Sequence, residues 1–335
     1  MTALTPPARA VAVAESVDLL LSGCERREPW KTADSLSGSR FERVVINGTP
    51  HVVKYIAVED DWIMRATGDL GRRQLTLLSS HMLTALPESI DHAVVGCAPL
   101  PLSRSHGGAA LLMHDVSDAL VPSGSEPIAM RLHRGFIADM AAMHVAYWGF
   151  NEGAALFPLA HHYVFLTPAM AELEAETPHA DPVPPAVANG WRQLDERYPG
   201  DARRLRELAD DPWPLVAALQ AGPQTLIHGD WKLGNLGRDG TRTILLDWDR
   251  TGEGAPLIDL AWYLAVNCDR LPETKENAIN AYRAALETAG IATTPWWDDQ
   301  LAAALVGAFL QLGWSKTGDA REFSWWSERL AAWSR

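Results

Sequence analysis

Two acidic side chains follow short apolar segments in the second half of the chain. Leu226-Ile227 comes shortly before Asp230, Ile244-Leu245-Leu246 comes directly before Asp247, and Asn235 lies in the loop between them. The apolar segments predict two short buried strands. An unpaired buried carboxylate costs free energy, so acids at such positions require a cation, a strong donor or a substrate proton. Magnesium, which prefers oxygen ligands, would meet that requirement.

The spacing of these residues resembles the catalytic loop of kinase-fold phosphotransferases. His228-Gly-Asp-Trp-Lys-Leu-Gly-Asn235 has the form His-x-Asp-x-x-x-x-Asn. It is similar to the branch containing aminoglycoside phosphotransferases and choline kinases, where His-Gly-Asp replaces the His-Arg-Asp of most protein kinases. Asp247-Trp-Asp249 resembles that branch's replacement for Asp-Phe-Gly, and Gly254-Ala-Pro-Leu-Ile-Asp-Leu-Ala261 resembles its segment ending in Asp-Leu-Ala. The motifs are specific as a set, and either half alone is weaker.

The resemblance implies a role for each residue of these motifs. Asp230 would accept the proton of an attacking hydroxyl, and Lys232 would touch the transferred phosphoryl group. Asn235 and Asp247 would hold Mg²⁺, which bridges phosphate oxygens. Two further residues would brace the loop through hydrogen bonds: His228 and Asp259. Taken singly, these residues have plainer interpretations as turn residues, a strand-end acid and a surface lysine.

The N-terminal part resembles the same family less sharply. The stretch 34–44 is similar to the loop that covers the phosphates of ATP in this family. Lys54 is similar to the lysine that the family carries on its third strand. The residues implied to contact the phosphates are Ser37, Gly38, Ser39 and Lys54. The segment 111–116 resembles the hinge between two lobes, where backbone groups of His114 and Val116 would meet the adenine edge.

Two features depart from the family's pattern. Gly38 is the only glycine of the phosphate loop, and no glutamate follows at the place where one would pair with Lys54. Asp69 or Gln74 could take that place. The resemblance implies magnesium-dependent transfer of the γ-phosphoryl group of ATP to a hydroxyl of a small molecule. The two departures motivate an alternative, a non-catalytic nucleotide-binding pseudokinase or scaffold of the same fold. A protein kinase is a further alternative, which His-Gly-Asp and the lack of an Ala-Pro-Glu segment after Asp247 disfavour.

Sequence patterns typical of β-strands dominate the N-terminal part, and apolar residues at α-helical spacing dominate the rest. Asn47-Gly48 between two β-branched runs predicts a hairpin. Apolar spacing predicts helices over Val11–Leu21 and Leu70–Leu83, and again over 136–147 and 301–312. The expected fold is α+β, bilobal and protein-kinase-like. Its parts would be a small β-rich nucleotide-binding lobe with a leading helix (1–113), a hinge (114–116), and a larger, mostly helical lobe with the catalytic loop and the acceptor-binding region (117–335).

The composition limits the partners and the compartment. A net charge of -13 argues against nucleic acid, whose phosphates attract cationic proteins, and suits a cationic small molecule. Three widely spaced cysteines support neither a disulfide framework nor a zinc site, so the cytoplasm is the expected location. No apolar run is long enough to span a membrane. The sequence leaves the acceptor, the choice between ATP and GTP, and the oligomeric state open.

Two aromatic and acidic pairs near the C-terminus are candidates for binding the acceptor. An aromatic face beside a carboxylate suits a sugar ring or an amine. The residues are Trp296, Asp298, Trp325 and Glu328. A surface turn and an amphipathic helix would explain them nearly as well.

Overall fold

The computed structural model describes residues 10–31, 37–69, 72–103, 106–177 and 181–333. Strands dominate the chain up to His114, and α-helices dominate from Met130 onward. The predicted α+β class, with a β-rich N-terminal part and a mostly helical C-terminal part, is confirmed. Within the described ranges, no α-helix has the length and apolar character needed to cross a membrane.

The described residues fold as two compact units. The sheet unit contains the residues up to Ser123 together with Gly234–Asp249, and the helical unit contains Gly124–Leu233 together with the residues from Arg250 onward. The segment with Asn235 and Asp247 thus folds with the N-terminal strands. The predicted boundaries of the two lobes and of the hinge between them stay a prediction.

Most strands of the described residues lie in the sheet unit. They are β1 (Ala12–Val13), β2 (Cys24–Trp30), β3 (Arg40–Ile46), β4 (Thr49–Ala57), β5 (Ile90–Asp91), β6 (Val94–Ser103) and β7 (His106–His114), with β9 (Leu236–Asp239) and β10 (Arg242–Leu245). One sheet has the order β1-β6-β7-β4-β3-β2, and another has the order β5-β10-β9. In the helical unit, β8 (Thr225–Ile227) pairs with β11 (Gly252–Gly254).

The turn between β3 and β4 has the conformation that its sequence predicts. Asn47 and Gly48 both have positive φ, 51° and 73°, and the flanking strands pair antiparallel, which confirms the hairpin. Farther along β4, Val53 and Tyr55 pack into a buried apolar cluster. Because side chains alternate along a strand, Lys54 lies on the opposite face of the sheet.

Two predicted helices of the sheet unit are much shorter than expected. In place of a leading helix over 11–21, the chain forms β1, which pairs with β6, and then one helical turn, α1 (Val17–Leu20). Of the predicted helix over 70–83, residues 70 and 71 lie outside the described residues. α3 (Arg73–Ser79) covers only the middle and ends before His81, whose φ of 61° is incompatible with a right-handed helix. The prediction of a long helix in this part was wrong, because apolar spacing does not show where the backbone leaves the helical region.

Ten α-helices of the described residues build the helical unit. They are α4 (Met130–Ala146), α5 (Leu159–Val164), α6 (Pro168–Ala175), α7 (Val183–Arg197), α8 (Pro199–Asp210), α9 (Trp213–Gln220), α10 (Leu257–Val266), α11 (Lys275–Thr288), α12 (Trp297–Leu312) and α13 (Ala320–Ala332). α4 and α12 confirm the two helical patterns of this part. α10 packs against α4, α11 and α12, and nearly all its residues are buried, as expected of a helix that is apolar all round.

Candidate active site

The loop after β8 carries Asp230 and is held by Asp259 of α10. The backbone N–H groups of His228 and Gly229 donate to the two carboxylate oxygens of Asp259, each at 2.7 Å. The N–H of Asp230 donates to Nδ1 of His228 at 3.2 Å. These bonds join successive backbone groups, so they hold the loop in one conformation. The contacts of His228 and Asp259 are those expected of bracing residues.

Asp259 is fully buried and ionised. Nε2 of His144 lies 3.1 Å from it, and Nδ1 of the same histidine lies 2.5 Å from the hydroxyl of Tyr282. Burial by itself raises the pKa of Asp259, but the hydrogen bond and charge of His144 outweigh that effect and lower the pKa below its ordinary value. His144 is thus buried, and both of its ring nitrogens are hydrogen-bonded.

The carboxylate of Asp230 lies among cationic and donor groups of the helical unit. Its Oδ2 is 2.7 Å from Nζ of Lys232, and its Oδ1 accepts from Nε1 of Trp262 at 2.9 Å. Burial by itself raises the pKa of Asp230, but the charges of Lys232 and Arg250 outweigh that effect and lower the pKa to about 2. Asp230 is therefore ionised throughout the physiological pH range, although it is only 5% exposed.

This lowered pKa predicts a specific loss of stability in acid. The ordinary pKa of an aspartate is 3.8, and the folded value is about 2. The stabilisation is therefore fully present above about pH 5 and is lost progressively as the pH falls through about 2, about 2 kcal/mol in all. Asp230→Asn lacks this contribution, so its free energy of unfolding should fall less than that of the wild type between pH 5 and pH 3. Parallel curves for the two proteins in urea denaturation would contradict the low pKa.

Gly229 allows the loop to pass close to the turn that precedes β11. Its φ is 80°, and a Cβ at this position would lie 2.3 Å from the carbonyl oxygen of Arg250. Gly229→Ala should therefore lower the free energy of unfolding by more than the roughly 1–2 kcal/mol that an alanine at positive φ costs. Gly240 also has positive φ, 58°, but has no atom within 4 Å of that position, so Gly240→Ala is the matched control. Equal losses in chemical denaturation would contradict the close approach at Gly229.

In the sheet unit, the β9–β10 hairpin brings Asn235 and Asp247 to the same end. The N–H of Leu246 donates to the carbonyl of Asn235 at 2.9 Å, one step beyond the last pair of the hairpin. Asp247 then turns away with a φ of 69°, which few residues other than glycine adopt. Strained backbone of this kind is concentrated at functional sites.

Lys54 forms a buried ion pair with Asp247. The lysine side chain is 8% exposed, and its burial by itself lowers its pKa. The charges of Asp247, Asp249 and Asp61 outweigh that effect and raise the pKa of Lys54 above its ordinary value. Lys54 therefore stays protonated at neutral pH and faces several carboxylates instead of the single glutamate of the family's pattern.

Asp61 is an acidic neighbour of Lys54 that the sequence analysis missed. It caps the N-terminus of α2 (Trp62–Thr67), where its Oδ1 accepts from the N–H of Ile63 at 2.9 Å. Burial raises the pKa of Asp61, although the nearby Lys54 lowers it in part. An aspartate directly before a helical segment is an N-cap signal, and that signal could have identified the residue.

The two residues suggested as partners of Lys54 make other contacts. Both carboxylate oxygens of Asp69 accept from the N–H of Arg73, at 2.9 and 3.1 Å. The side-chain oxygen of Gln74, in the amide orientation that satisfies its neighbours, accepts from the N–H groups of Trp248 and Asp249, each at 3.0 Å. Gln74 therefore supports the turn that follows Asp247.

The phosphate-loop serines are tied to Asp61. The hydroxyl of Ser39 donates to Oδ2 of Asp61 at 2.7 Å, and the hydroxyl of Ser37 donates to that of Ser39 at 2.9 Å. Gly38 between them has a φ of 84°. The first part of the predicted loop, residues 34–36, lies outside the described residues. The loop thus ends in a hydrogen-bonded turn anchored to α2.

The predicted hinge begins at the last residue of β7, His114. The N–H of His114 donates to the carbonyl of Ala93 at 2.9 Å, and its ring stacks on that of His51 with centroids 5.3 Å apart. The carbonyl of Val116 accepts from the N–H of Ala119 at 2.9 Å. Burial lowers the pKa of His114, which favours its neutral form.

The aromatic candidates for the acceptor site have different neighbours. Trp296 lies beside Trp148 and donates its indole N–H to the carbonyl of Ala292 at 2.8 Å. Trp325 donates to Glu276 at 2.6 Å, and the guanidinium of Arg329 lies over its ring, 3.6 Å from the centroid. The two remaining candidates, Asp298 and Glu328, are exposed. Their part in acceptor binding stays a prediction.

The predicted site residues fall into two sets. The sheet unit holds Lys54, Asn235 and Asp247 with the phosphate-loop and hinge residues, and the helical unit holds Asp230 and Lys232 with the bracing residues. Within each set the contacts described above join several of the members. The convergence of Asp230 with Asn235 and Asp247 around one ligand stays a prediction.

The two metal candidates fit magnesium in their chemistry. Asn235 and Asp247 supply an amide and a carboxylate oxygen, and Mg²⁺ commonly takes one or two carboxylates and completes its shell with water and substrate phosphates. Among the described residues, no group of three or more His, Cys, Asp or Glu side chains is placed to hold a metal ion.

Two neighbours of Asp230, Arg250 and Trp262, were not predicted from the sequence as site residues. Arg250 is 2% exposed, and its Nη1 lies 3.8 Å from Oδ1 of Asp230. An arginine in a loop after Asp-Trp-Asp has no local signal that predicts burial. Trp262 lies in the core, and its indole N–H reaches Asp230 as well.

The comparison with protein families agrees with the motifs at this site. The family described as APH, phosphotransferase enzyme family, matches residues 113–298, which include the whole loop after β8 and the Asp-Leu-Ala segment. The chain belongs to this family of phosphotransferase enzymes. The resemblance predicted from the motifs is therefore confirmed.

Several solved structures are similar in outline. A choline kinase, LicA from Streptococcus pneumoniae, is 15% identical, with 94% of this chain and 96% of that chain covered and a TM-score of 0.48. The aminoglycoside phosphotransferase APH(3'')-Id from Streptomyces rimosus is 18% identical, with 89% and 97% covered and a TM-score of 0.48. Likeness at this level says nothing about a substrate. The comparison with curated proteins found no match.

Proposed function

We propose that this protein transfers the γ-phosphoryl group of ATP to a hydroxyl group of a small molecule in a magnesium-dependent reaction. The observation that carries the proposal is Asp230, a buried and ionised carboxylate within a braced loop. The motif that contains Asp230 lies in the region matched by a family of phosphotransferase enzymes. The acceptor would be an aminoglycoside, an amino sugar, a choline-like alcohol or another metabolite.

In the proposed reaction, Asp230 orients the acceptor. Its carboxylate accepts a hydrogen bond from the acceptor hydroxyl, whose oxygen forms a bond to the γ-phosphorus as the bond to the bridging oxygen breaks. The hydroxyl proton passes to Asp230, and ADP leaves. A carboxylate with a pKa of about 2 is a weak base, so it acts mainly by orientation. Lys232, whose Nζ lies 2.7 Å from Asp230, would neutralise charge on the transferred group.

The sheet unit would bind the nucleotide. Lys54 would contact the α- and β-phosphates, and the turn of Ser37, Gly38 and Ser39 would cover them. The carbonyl of His114 and the N–H of Val116 would meet the adenine edge. Magnesium, held by Asn235 and Asp247, would neutralise phosphate charge when it is bound. Lys54 would then divide its contacts between Asp247 and the nucleotide.

The acceptor and the compartment belong to the same proposal. A net charge of -13 favours a cationic acceptor over an anionic one, because the field of the whole protein attracts cations. The three cysteines are free thiols, which agrees with a reducing cytoplasm.

The deciding experiment is a screen with ATP labelled in its γ-phosphate. Hydroxyl-bearing antibiotics, amino sugars, choline-like alcohols and other metabolites are incubated with the protein, with and without Mg²⁺. We expect a labelled small-molecule product that requires Mg²⁺. ATP binding without transfer to any acceptor would favour the pseudokinase alternative, and labelling of peptides instead of small alcohols would favour a protein kinase.

A further inference from the structure

The two oxygens of the Asp230 carboxylate have different partners. Oδ1 accepts from the indole N–H of Trp262 at 2.9 Å and lies 3.8 Å from Nη1 of Arg250. Oδ2 lies 2.7 Å from Nζ of Lys232. Trp262 and Arg250 are buried, whereas the Lys232 side chain is 33% exposed. The Oδ2 side of the carboxylate is thus the side where a partner can be exchanged.

Arg250 is itself held from several directions. Its Nη2 donates to Oε1 of Gln311 at 2.9 Å and lies 3.2 Å from Nδ1 of His162. Arginine has only donors, so this histidine nitrogen is the acceptor. The guanidinium also lies over the rings of Trp262 and Phe165, 4.2 and 4.8 Å from their centroids. A charged group held in this way presents a fixed charge to Asp230.

Strand pairing explains why Arg250 reaches the loop. Gly252 of β11 pairs with Ile227 of β8, so the residues before β11 run beside the residues after β8. The carbonyl of Arg250 lies against Gly229, next to Asp230 in the chain. The ladder therefore sets the distance between the guanidinium and the carboxylate.

We propose that Arg250 is a positioning residue for Asp230. With Trp262 it holds Oδ1, so that Oδ2 is the oxygen presented to the acceptor hydroxyl, and Lys232 moves from Oδ2 to the transferred phosphoryl group. Without Arg250, the carboxylate of Asp230 rotates toward Lys232. The acceptor hydroxyl is then held out of line with the γ-phosphorus that it attacks. This inference rests on the proposed function for its catalytic consequence, but the orientation of Asp230 is a property of the chain alone.

Arg250→Met tests the positioning role. Methionine is flexible and can fill the space beside the two rings, but it carries no charge. We expect kcat for transfer to the acceptor found in the screen to fall about 10- to 100-fold, as for a misplaced reacting group. KM for ATP should stay within about twofold, because binding of the ground state is unaffected. A crystal structure of the variant should show the Trp262 Nε1 to Asp230 Oδ1 distance beyond about 3.5 Å.

Two further variants serve as control and rescue. Arg206 also lies over a tryptophan ring, that of Trp191, but pairs with Asp195, and Arg206→Met should leave kcat unchanged. Arg250→Lys keeps the positive charge and should recover part of the lost kcat. If Arg250→Met does not fold, the same two measurements are made on Arg250→Lys, where a smaller fall in kcat and a smaller displacement of Asp230 are expected.

The results separate this inference from the proposed function. An unchanged kcat, or a reduced kcat with Asp230 in its original orientation, would overturn the positioning role. If the wild-type protein phosphorylates no acceptor, the proposed function fails. The crystal structure of the Arg250 variant then decides the inference alone: a displaced Asp230 carboxylate supports it, and an unmoved one overturns it.

Discussion

Asp230→Asn is expected to lower kcat for phosphoryl transfer at least about 100-fold, with KM for ATP within about twofold of the wild type. Asparagine keeps the shape of the side chain, and its oxygen can still accept from Trp262. It cannot take up the proton of the acceptor hydroxyl, and it loses the charge that pairs with Lys232. The measurement is steady-state transfer of labelled phosphate to an acceptor identified by the screen.

The control for this variant is another aspartate of the helical unit. Asp195 pairs with Arg206 through an exposed ion pair, and Asp195→Asn should leave kcat unchanged. Asp230→Ala should also abolish transfer, and near-ultraviolet circular dichroism should show that both variants of Asp230 keep the native fold. Turnover at the wild-type rate in Asp230→Asn would remove this residue from the role of catalytic base.

Lys54→Met is expected to affect both stability and the use of ATP. Its ammonium is buried against Asp247, with Asp61 and Asp249 nearby, so its removal leaves negative charges without their cation. Breaking such a pair should lower the free energy of unfolding by about 3 kcal/mol. KM for ATP should rise at least about 10-fold, because the phosphates lose a charged hydrogen bond. Chemical denaturation and initial-rate kinetics measure the two effects.

A double variant separates the structural from the functional part of this effect. Lys54→Met with Asp247→Asn removes both charges of the pair, so most of the lost stability should return. Phosphoryl transfer should not return, because neither the phosphate contact nor the predicted metal ligand is restored. Recovery of stability and activity together would assign Lys54 a purely structural role. A double variant no more stable than Lys54→Met would show that the pair with Asp247 does not account for the loss.

Local patterns predicted the parts of this protein that depend on neighbouring residues. The hairpin at Asn47-Gly48 follows from residues that tolerate positive φ, and α12 follows from apolar spacing. The prediction of a leading helix over 11–21 was wrong because apolar spacing is local information. It does not reveal that Ala12 and Val13 pair with β6. Tertiary pairing overrode helical propensity there.

The sequence by itself determined the family of this protein, because the motif from His228 to Asn235 and the later Asp-Leu-Ala segment are local strings with specific spacing. Only the tertiary structure decided what surrounds the acids. Arg250 reaches Asp230 through the pairing of β8 with β11, and Asp61 lies near Lys54 in the folded sheet unit. The ionisation of a buried carboxylate depends on the charges that folding brings beside it, and contacts between distant residues leave no local pattern in the chain.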